Sequence, residues 1–275
     1  MNEAHLLDGF PLWCLFVATV TVVALSVEAG FRLGRFRRQG SDAEKEVPVG
    51  AIAGATLGLL AFVLAFTFGL AASRFDARRQ VVLKESNAIG TCYLRAGLLP
   101  APHAAAARKL LRDYVEVRLR AAESGNLDEA MAKSDELHNA IWSQATEAAN
   151  KDPRSIVTGL FIQSLNEVID VHSERVLIAV RSRIPAAVWL GLYFVAVFAM
   201  AALGYHEGLT GSRRSPAVLA LALTFSAVLL LVADLDRPRE GMLQVSQQAM
   251  VDLRNSIDSA QTKNMPSVGA EETKP

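Results

Sequence analysis

Long uncharged, mostly apolar runs alternate with charged segments along this chain. Each run has 19 residues or more and contains no Asp, Glu, Lys or Arg. At about 1.5 Å per helical residue, such a run crosses a hydrocarbon layer of about 30 Å. The pattern therefore predicts four transmembrane helices. The uncharged runs are residues 9–27, 47–73, 184–205 and 215–233.

The segment 75–183, between the second and third spans, holds most of the charged residues. Phe75, Val82 and Ile89 recur every seven residues, so the second span is expected to continue as one helix into water. Proline and glycine breaks then divide the segment into three further helices. The predicted fold is all-α, with four transmembrane helices and an extramembrane helical bundle inserted between spans 2 and 3. The three helices are expected at about 103–123, 128–150 and 155–183.

A last amphipathic helix is expected after the fourth span. Leu243, Met250, Leu253 and Ile257 would line its apolar side, which we expect to pack back onto the bundle. The polar tail is expected to be disordered. The predicted organisation is 1–74 for transmembrane helices 1 and 2 (about 9–31 and 47–73), 75–183 for the helical domain, 184–234 for transmembrane helices 3 and 4, 235–261 for the C-terminal helix and 262–275 for the tail.

Charge is informative only locally, because the formal net charge of the chain is zero. That balance gives no reason to expect a nucleic-acid partner. Five basic residues between Arg32 and Lys45, against none before the first span, favour a cytoplasmic first loop. We therefore expect a multi-pass protein of the bacterial inner (plasma) membrane, with its N-terminus and helical domain outside. Cys14 and Cys92 are expected to be unpaired.

The second span carries small residues on one side. Gly50, Gly54 and Gly58 recur every four residues and share a helix face, where another helix could approach at backbone distance. This spacing indicates helix packing, and it also fits a helix that lines or seals a symmetric assembly.

An aromatic turn follows on the same helix. Phe62 and Phe66 lie one turn apart, with Leu70 one turn further. These side chains could face lipid. If they face a shared axis instead, they form an apolar constriction that blocks ions by excluding water.

Charged residues at the membrane ends need compensation, because an unpaired charge in lipid costs several kcal/mol. Glu28 and Arg32 are spaced for an i,i+4 ion pair. Asp234 and Asp236 end the fourth span, where carboxylates oppose the helix dipole. Arg237 could compensate them, Asp234 could pair with Arg183 or Arg74, or the carboxylates could form a ring at a pore mouth.

Motifs for catalysis and for phosphate or metal binding were not found, so we predict neither an enzyme nor a cofactor or metal site. His172 lies on the apolar stripe of its helix and is expected to be a hydrogen-bonded core histidine. Glu167, Asp170 and Glu174 share a face with ligand-like spacing, but solvated charge is the favoured interpretation.

The order of segments resembles that of bacterial membrane proteins described as bestrophin-like. The residues that carry the resemblance are Leu235 to Gly241 with Val245-Ser246, Phe66 to Arg79, and Leu165 to Arg175. The resemblance implies kinship with pentameric anion channels that have an aromatic neck on their second span, for which Phe62 and Phe66 are the candidates. It also implies a cytoplasmic helical domain, contrary to the first-loop charges. No acidic cluster resembles the calcium clasp of those channels.

Two functions follow as hypotheses. One is a homo-oligomeric ion channel in the lipid bilayer, conducting an anion if the kinship holds. The other is a membrane-anchored sensor or scaffold whose helical domain binds a soluble partner that the sequence does not identify.

Overall fold

The structure is a computed structural model that describes residues 11–39, 46–181, 183–211, 216–237 and 241–263. These residues form eight α-helices and no strand, which confirms the predicted all-α class. The helices are α1 Leu12–Arg38, α2 Glu46–Ala96, α3 His103–Ser124, α4 Leu127–Lys151, α5 Ile156–Arg181, α6 Ala186–Thr210, α7 Pro216–Asp236 and α8 Gln248–Lys263.

Four of the helices in the described part of the chain are long and apolar enough to cross a membrane. They are α1, the N-terminal part of α2, α6 and α7, as the uncharged runs predicted. The predicted continuation of the second span is also confirmed, since α2 runs unbroken for 51 residues. At about 1.5 Å per residue, α2 is roughly 75 Å long, more than twice the thickness of a hydrocarbon core.

The chain divides into two compact units. The membrane unit is Met1–Asp76 with Ser182–Gln244, and the bundle unit is Ala77–Arg181 with Val245–Pro275. Helix α2 contributes its first part to the former and its last part to the latter.

In the membrane unit, α1 and α6 run parallel and touch through glycines. A side chain at Gly30 would collide with the backbone of Ala201 and Tyr205, and one at Gly204 with the backbone of Val27 and Phe31. Such contact is possible only because these positions lack a Cβ atom. Small residues are a common basis for helix association in lipid.

The bundle unit packs helices α3, α4, α5 and α8 with the C-terminal part of α2 around one apolar core. Tyr114, Phe161 and Leu165 are fully buried there. Lys84 contacts Glu174, and Arg95 contacts the carbonyl of Leu160, so α2 and α5 are antiparallel.

The predicted breaks between bundle helices are confirmed. Helix α3 begins directly after the Pro100–Pro102 break and ends at Ser124, before Gly125 with a φ of 73°. Asn126 then caps α4 by accepting a hydrogen bond from the N–H of Glu129.

The predicted C-terminal helix is present as α8, and it packs on the bundle through Met250 and Ile257. Leu243, expected on its apolar side, precedes the helix and is 41% exposed. The disordered tail was predicted to begin at residue 262, but α8 continues to Lys263. The proline that follows α7, Pro238, and the rest of the predicted tail lie outside the described residues.

Candidate functional site

The aromatic turn of α2 lies on an open side of the single chain. Phe62 is 69% exposed and Phe66 is 73% exposed. Leu70, the third residue of the predicted constriction, is half-buried and packs against the core of the membrane unit. The two phenylalanines are therefore the side chains that this turn offers to lipid or to another subunit.

The glycine face of α2 is open as well. A Cβ atom at Gly54 or Gly58 would meet no atom of the same chain within 4 Å. Gly50 differs, because its Cβ would come within 2.7 Å of His206 Nε2 on α6. Within one chain, the glycine face therefore contacts α6 at Gly50 and has no such contact at Gly54 and Gly58.

The glycines in backbone contact within the chain are at other positions. Gly30 and Gly34 on α1 face Gly204 and Gly208 on α6, and both pairs have four-residue spacing. The sequence analysis missed them. The four-residue spacing was visible in the sequence. However, α1 and α6 each have only two glycines at this spacing, whereas the second span has three.

Glu28 and Arg32 form the predicted pair at the end of the first uncharged run. Arg32 Nε lies 2.7 Å from Glu28 Oε1. The arginine side chain is 78% exposed, so the pair is open to its surroundings and belongs to the helix end rather than to a buried site.

Asp234, near the end of α7, binds the segment that follows this helix. It is buried and accepts hydrogen bonds from the N–H of Met242 at 2.7 Å and the N–H of Leu243 at 3.2 Å. A Cβ atom at Gly241 would overlap this carboxylate, so the glycine makes the turn possible. These backbone amides compensate its charge.

Asp236 is buried two residues later and has a similar role. Its Oδ1 accepts a 2.9 Å hydrogen bond from the N–H of Ile184, just before α6. Arg237, which follows, is also buried. Asp234 and Asp236 thus fix the chain at two separate places, because their carboxylates accept hydrogen bonds from backbone N–H groups.

A buried charged cluster lies in the bundle unit, and the sequence analysis missed it. The carboxylate of Glu85, on α2, is fully buried. It accepts a hydrogen bond from the Tyr114 hydroxyl at 2.7 Å and lies 3.2 Å from Arg118 Nε. Arg175 on α5 binds its second oxygen. Two guanidinium groups therefore surround one carboxylate.

Two histidines complete this cluster. Tyr114 donates its proton to Glu85, so its oxygen accepts from His172 Nδ1 at 3.0 Å, which places the proton of His172 on Nδ1. This confirms His172 as a hydrogen-bonded core residue. His138 on α4 stacks on Tyr114 with ring centroids 4.8 Å apart. Its Nε2 has no hydrogen-bond partner among the described residues.

Burial and neighbouring charges act in opposite directions on the pKa of Glu85. Burial raises it, but His172, whose Nδ1 lies 3.9 Å away and beyond hydrogen-bond length, lowers it, as do Arg175, Arg118 and Tyr114. The net effect holds the pKa of Glu85 well below its usual range. Burial, then His172, lowers the pKa of His138 to about 4.

The sequence contained a signal for Glu85. It lies three residues after Val82 and four before Ile89, on the stripe that predicted the buried side of α2. A carboxylate on such a stripe indicates a buried ion pair. Its partners Arg118 and Arg175 are not distinguishable in sequence from the solvated arginines around them.

The acidic residues of α5 do not assemble a metal centre in the described part of the chain. Glu174 binds Lys84 Nζ at 2.6 Å on the surface, as solvated charge would. The two cysteines are free, Cys92 being buried and Cys14 partly so.

Comparisons with known proteins agree with this architecture. The chain is similar to a crystal structure of a membrane protein, with a TM-score of 0.59 and 15% identity over 88% of this chain and 95% of the other. That likeness concerns the fold alone. No curated protein sequence matches significantly. The family model of the Bestrophin-like domain matches residues 18–250, both membrane segments and the bundle included. The chain is a membrane protein of the Bestrophin-like family.

Proposed function

We propose that the protein is a homo-oligomeric ion channel in which the α2 helices of neighbouring subunits line the conduction path. The observation that carries this proposal is the exposure of Phe62 and Phe66 on a helix side whose glycines, Gly54 and Gly58, also lack contacts within the chain. An aromatic turn beside an open small-residue face suits a helix that packs around an axis with copies of itself.

An apolar gate is the mechanism that these residues support. The second span has no charged residue between Glu46 and Arg74, so the path along it cannot repel or attract ions with a side-chain charge. A ring of phenylalanines would stop ions because a narrow apolar section loses its water. The bestrophin-like family name favours an anion as the conducted species.

For the location we propose the bacterial inner membrane, with the N-terminus and the helical domain outside. The basic residues at the end of α1 support this orientation. The bestrophin arrangement implied by the resemblance is the opposite one. No soluble partner is part of the channel proposal, and no reactive side chain is needed for it.

The test is a planar-bilayer recording of the purified protein and its Phe62→Ala/Phe66→Ala variant. Shrinking the apolar ring should increase conductance or open probability. The matched control is Phe194→Ala/Phe198→Ala. That pair lies on α6 with the same spacing and similar exposure, 64% and 58%. If α2 lines the path, the control variant should conduct like the wild type.

A sensor or scaffold is the second candidate, and one feature of the bundle unit favours it. Leu94, Leu98 and Ile156 are apolar but 65–79% exposed, as in a surface that binds another protein. Wild-type protein that is monomeric in mild detergent and electrically silent at all voltages and salts would contradict the channel proposal and favour this alternative.

A further inference from the structure

The C-terminal end of α1 concentrates basic and apolar side chains on an exposed surface. Arg32, Arg35, Arg37 and Arg38 fall within seven residues, and all four are exposed. Leu33 and Phe36, which lie among them, are 58% and 75% exposed. Gly34, by contrast, is buried against α6. The side of this turn that does not touch α6 therefore presents cationic and apolar groups together.

The length of α1 brings this surface to the depth of lipid headgroups. Its 27 residues extend about 40 Å, whereas a hydrocarbon core is about 30 Å thick. The uncharged run ends at Val27, so the last turns lie at the membrane boundary. Long arginine side chains at such a boundary reach the headgroups while apolar neighbours remain in the acyl region.

Two of the four arginines are engaged within the protein. Arg32 pairs with Glu28. The guanidinium of Arg38 lies against Gly211, at the C-terminal end of α6, where a cation suits the helix dipole. Within the part of the chain that the structure describes, Arg35 and Arg37 form no ion pair. No described acidic residue therefore competes with an outside ligand for these two charges.

We propose that Arg35 and Arg37, which lie on different sides of α1 with Phe36 and Leu33 beside them, bind the phosphates of anionic phospholipids. Each guanidinium supplies bidentate donors that match the oxygens of one phosphate. The apolar pair would contact the upper part of the acyl chains. This combination fits a lipid better than a free anion, because a free anion has no apolar part that could contact Leu33 and Phe36.

The test uses the full-length protein in detergent micelles, where insertion direction plays no part. Phosphatidylglycerol and phosphatidylcholine are added in equal amounts, and retained lipid is measured by native mass spectrometry. Wild type should retain phosphatidylglycerol preferentially. Each arginine near an anionic lipid contributes roughly fivefold to binding, so Arg35→Gln/Arg37→Gln should lose most of the preference. Arg35→Lys/Arg37→Lys, which keeps the charges, should retain part of it.

The matched control is Lys109→Gln/Arg120→Gln, which removes two exposed positive charges from α3 in the bundle unit. It should retain phosphatidylglycerol like the wild type. Equal retention of the two lipids by wild type would overturn the proposal. So would an unchanged preference in the Arg35→Gln/Arg37→Gln variant, or displacement of the lipid by inorganic phosphate at similar concentration.

Discussion

The hydroxyl of Tyr114 donates a 2.7 Å hydrogen bond to the carboxylate of Glu85 in the interior of the bundle unit. This contact joins α3 to the extended part of α2. Arg175 of α5 binds the same carboxylate and also donates to Gln247, ahead of α8, at 3.0 Å. One buried carboxylate thus holds several segments of the bundle in register.

Replacement of Glu85 should be strongly destabilising. In Glu85→Gln the side chain keeps its shape, but Arg118 and Arg175 lose their counter-charge, and breaking a buried ion pair costs about 3–5 kcal/mol. Tyr114→Phe should cost less, about 1–3 kcal/mol, because it removes the hydroxyl that donates to Glu85 and accepts from His172 but leaves Glu85 paired with both arginines. Melting temperatures of the purified protein would measure both. Glu174→Gln, in the exposed pair with Lys84, is the control and should melt like the wild type.

Acid should destabilise the bundle unit through His138. Its folded-state pKa of about 4 is below the ordinary value of 6.5, so the unfolded chain takes up a proton first as the pH falls. The stability that neutral His138 provides is complete above pH 6.5 and is lost progressively as the pH falls to about 4. His138→Gln should show a smaller fall in melting temperature across this window than wild type. Parallel pH profiles would contradict the assignment.

The charged groups around His138 act in both directions. Burial and then His172 of α5 lower the pKa of His138, Asp135 and Glu85 raise it, Arg118 of α3 lowers it, and the net shift is downward. The low pKa of Glu85 acts in the same sense, since a carboxylate held charged contributes stability that is lost at lower pH still. The losses of stability caused by His138 and by Glu85 can be separated, because His138→Gln removes only the loss between pH 4 and 6.5.

Gly54→Leu tests whether the open face of α2 is a subunit interface. Within one chain the new side chain would meet no atom near its Cβ, so the protomer should fold normally. At an interface it should force the helices apart at a cost of about 1–3 kcal/mol. Oligomeric mass in mild detergent should therefore fall. Gly191→Leu, on an exposed and equally open position of α6, should leave the mass unchanged.

The orientation of the bundle unit can be tested by cysteine labelling, but not at Cys92. That thiol is fully buried, and burial raises its pKa to about 12, so it will not react with a maleimide. Ser124→Cys, exposed at the end of α3, is a suitable reporter in a chain without Cys14 and Cys92. We expect labelling in intact cells. Labelling only after permeabilisation would place the bundle in the cytoplasm, as in bestrophins.

The sequence predicted features that depend on local composition. Hydropathy located the four spans, and the stripe through Val82 and Ile89 predicted the long α2. Contacts between distant segments were not accessible in the same way. The pairing of Gly30 with α6 and the convergence of Arg118 and Arg175 on Glu85 depend on which helices become neighbours, and spacing within one helix does not determine that.

The end of α7 shows the same limit at a single residue. Sequence reasoning recognised that Asp234 opposes the helix dipole and sought an arginine to compensate it. The structure supplies the backbone N–H groups of Met242 and Leu243, which almost any sequence could provide. Only Gly241, whose missing side chain leaves room for the carboxylate, was specific to this turn.

The parallel contact between α1 and α6 has a consequence for how the protein is made. Thr19 and Tyr193, hydrogen-bonded at 2.8 Å across these helices, are 174 residues apart in the chain. At about 5–20 residues per second, a ribosome needs roughly 10–35 s to synthesise that interval. Throughout this time the glycine side of α1 lacks the helix that covers it in the finished structure. Helix α1 thus meets α6 only after α2 and the bundle helices have been made, and a chain that stops after the bundle would lack this contact.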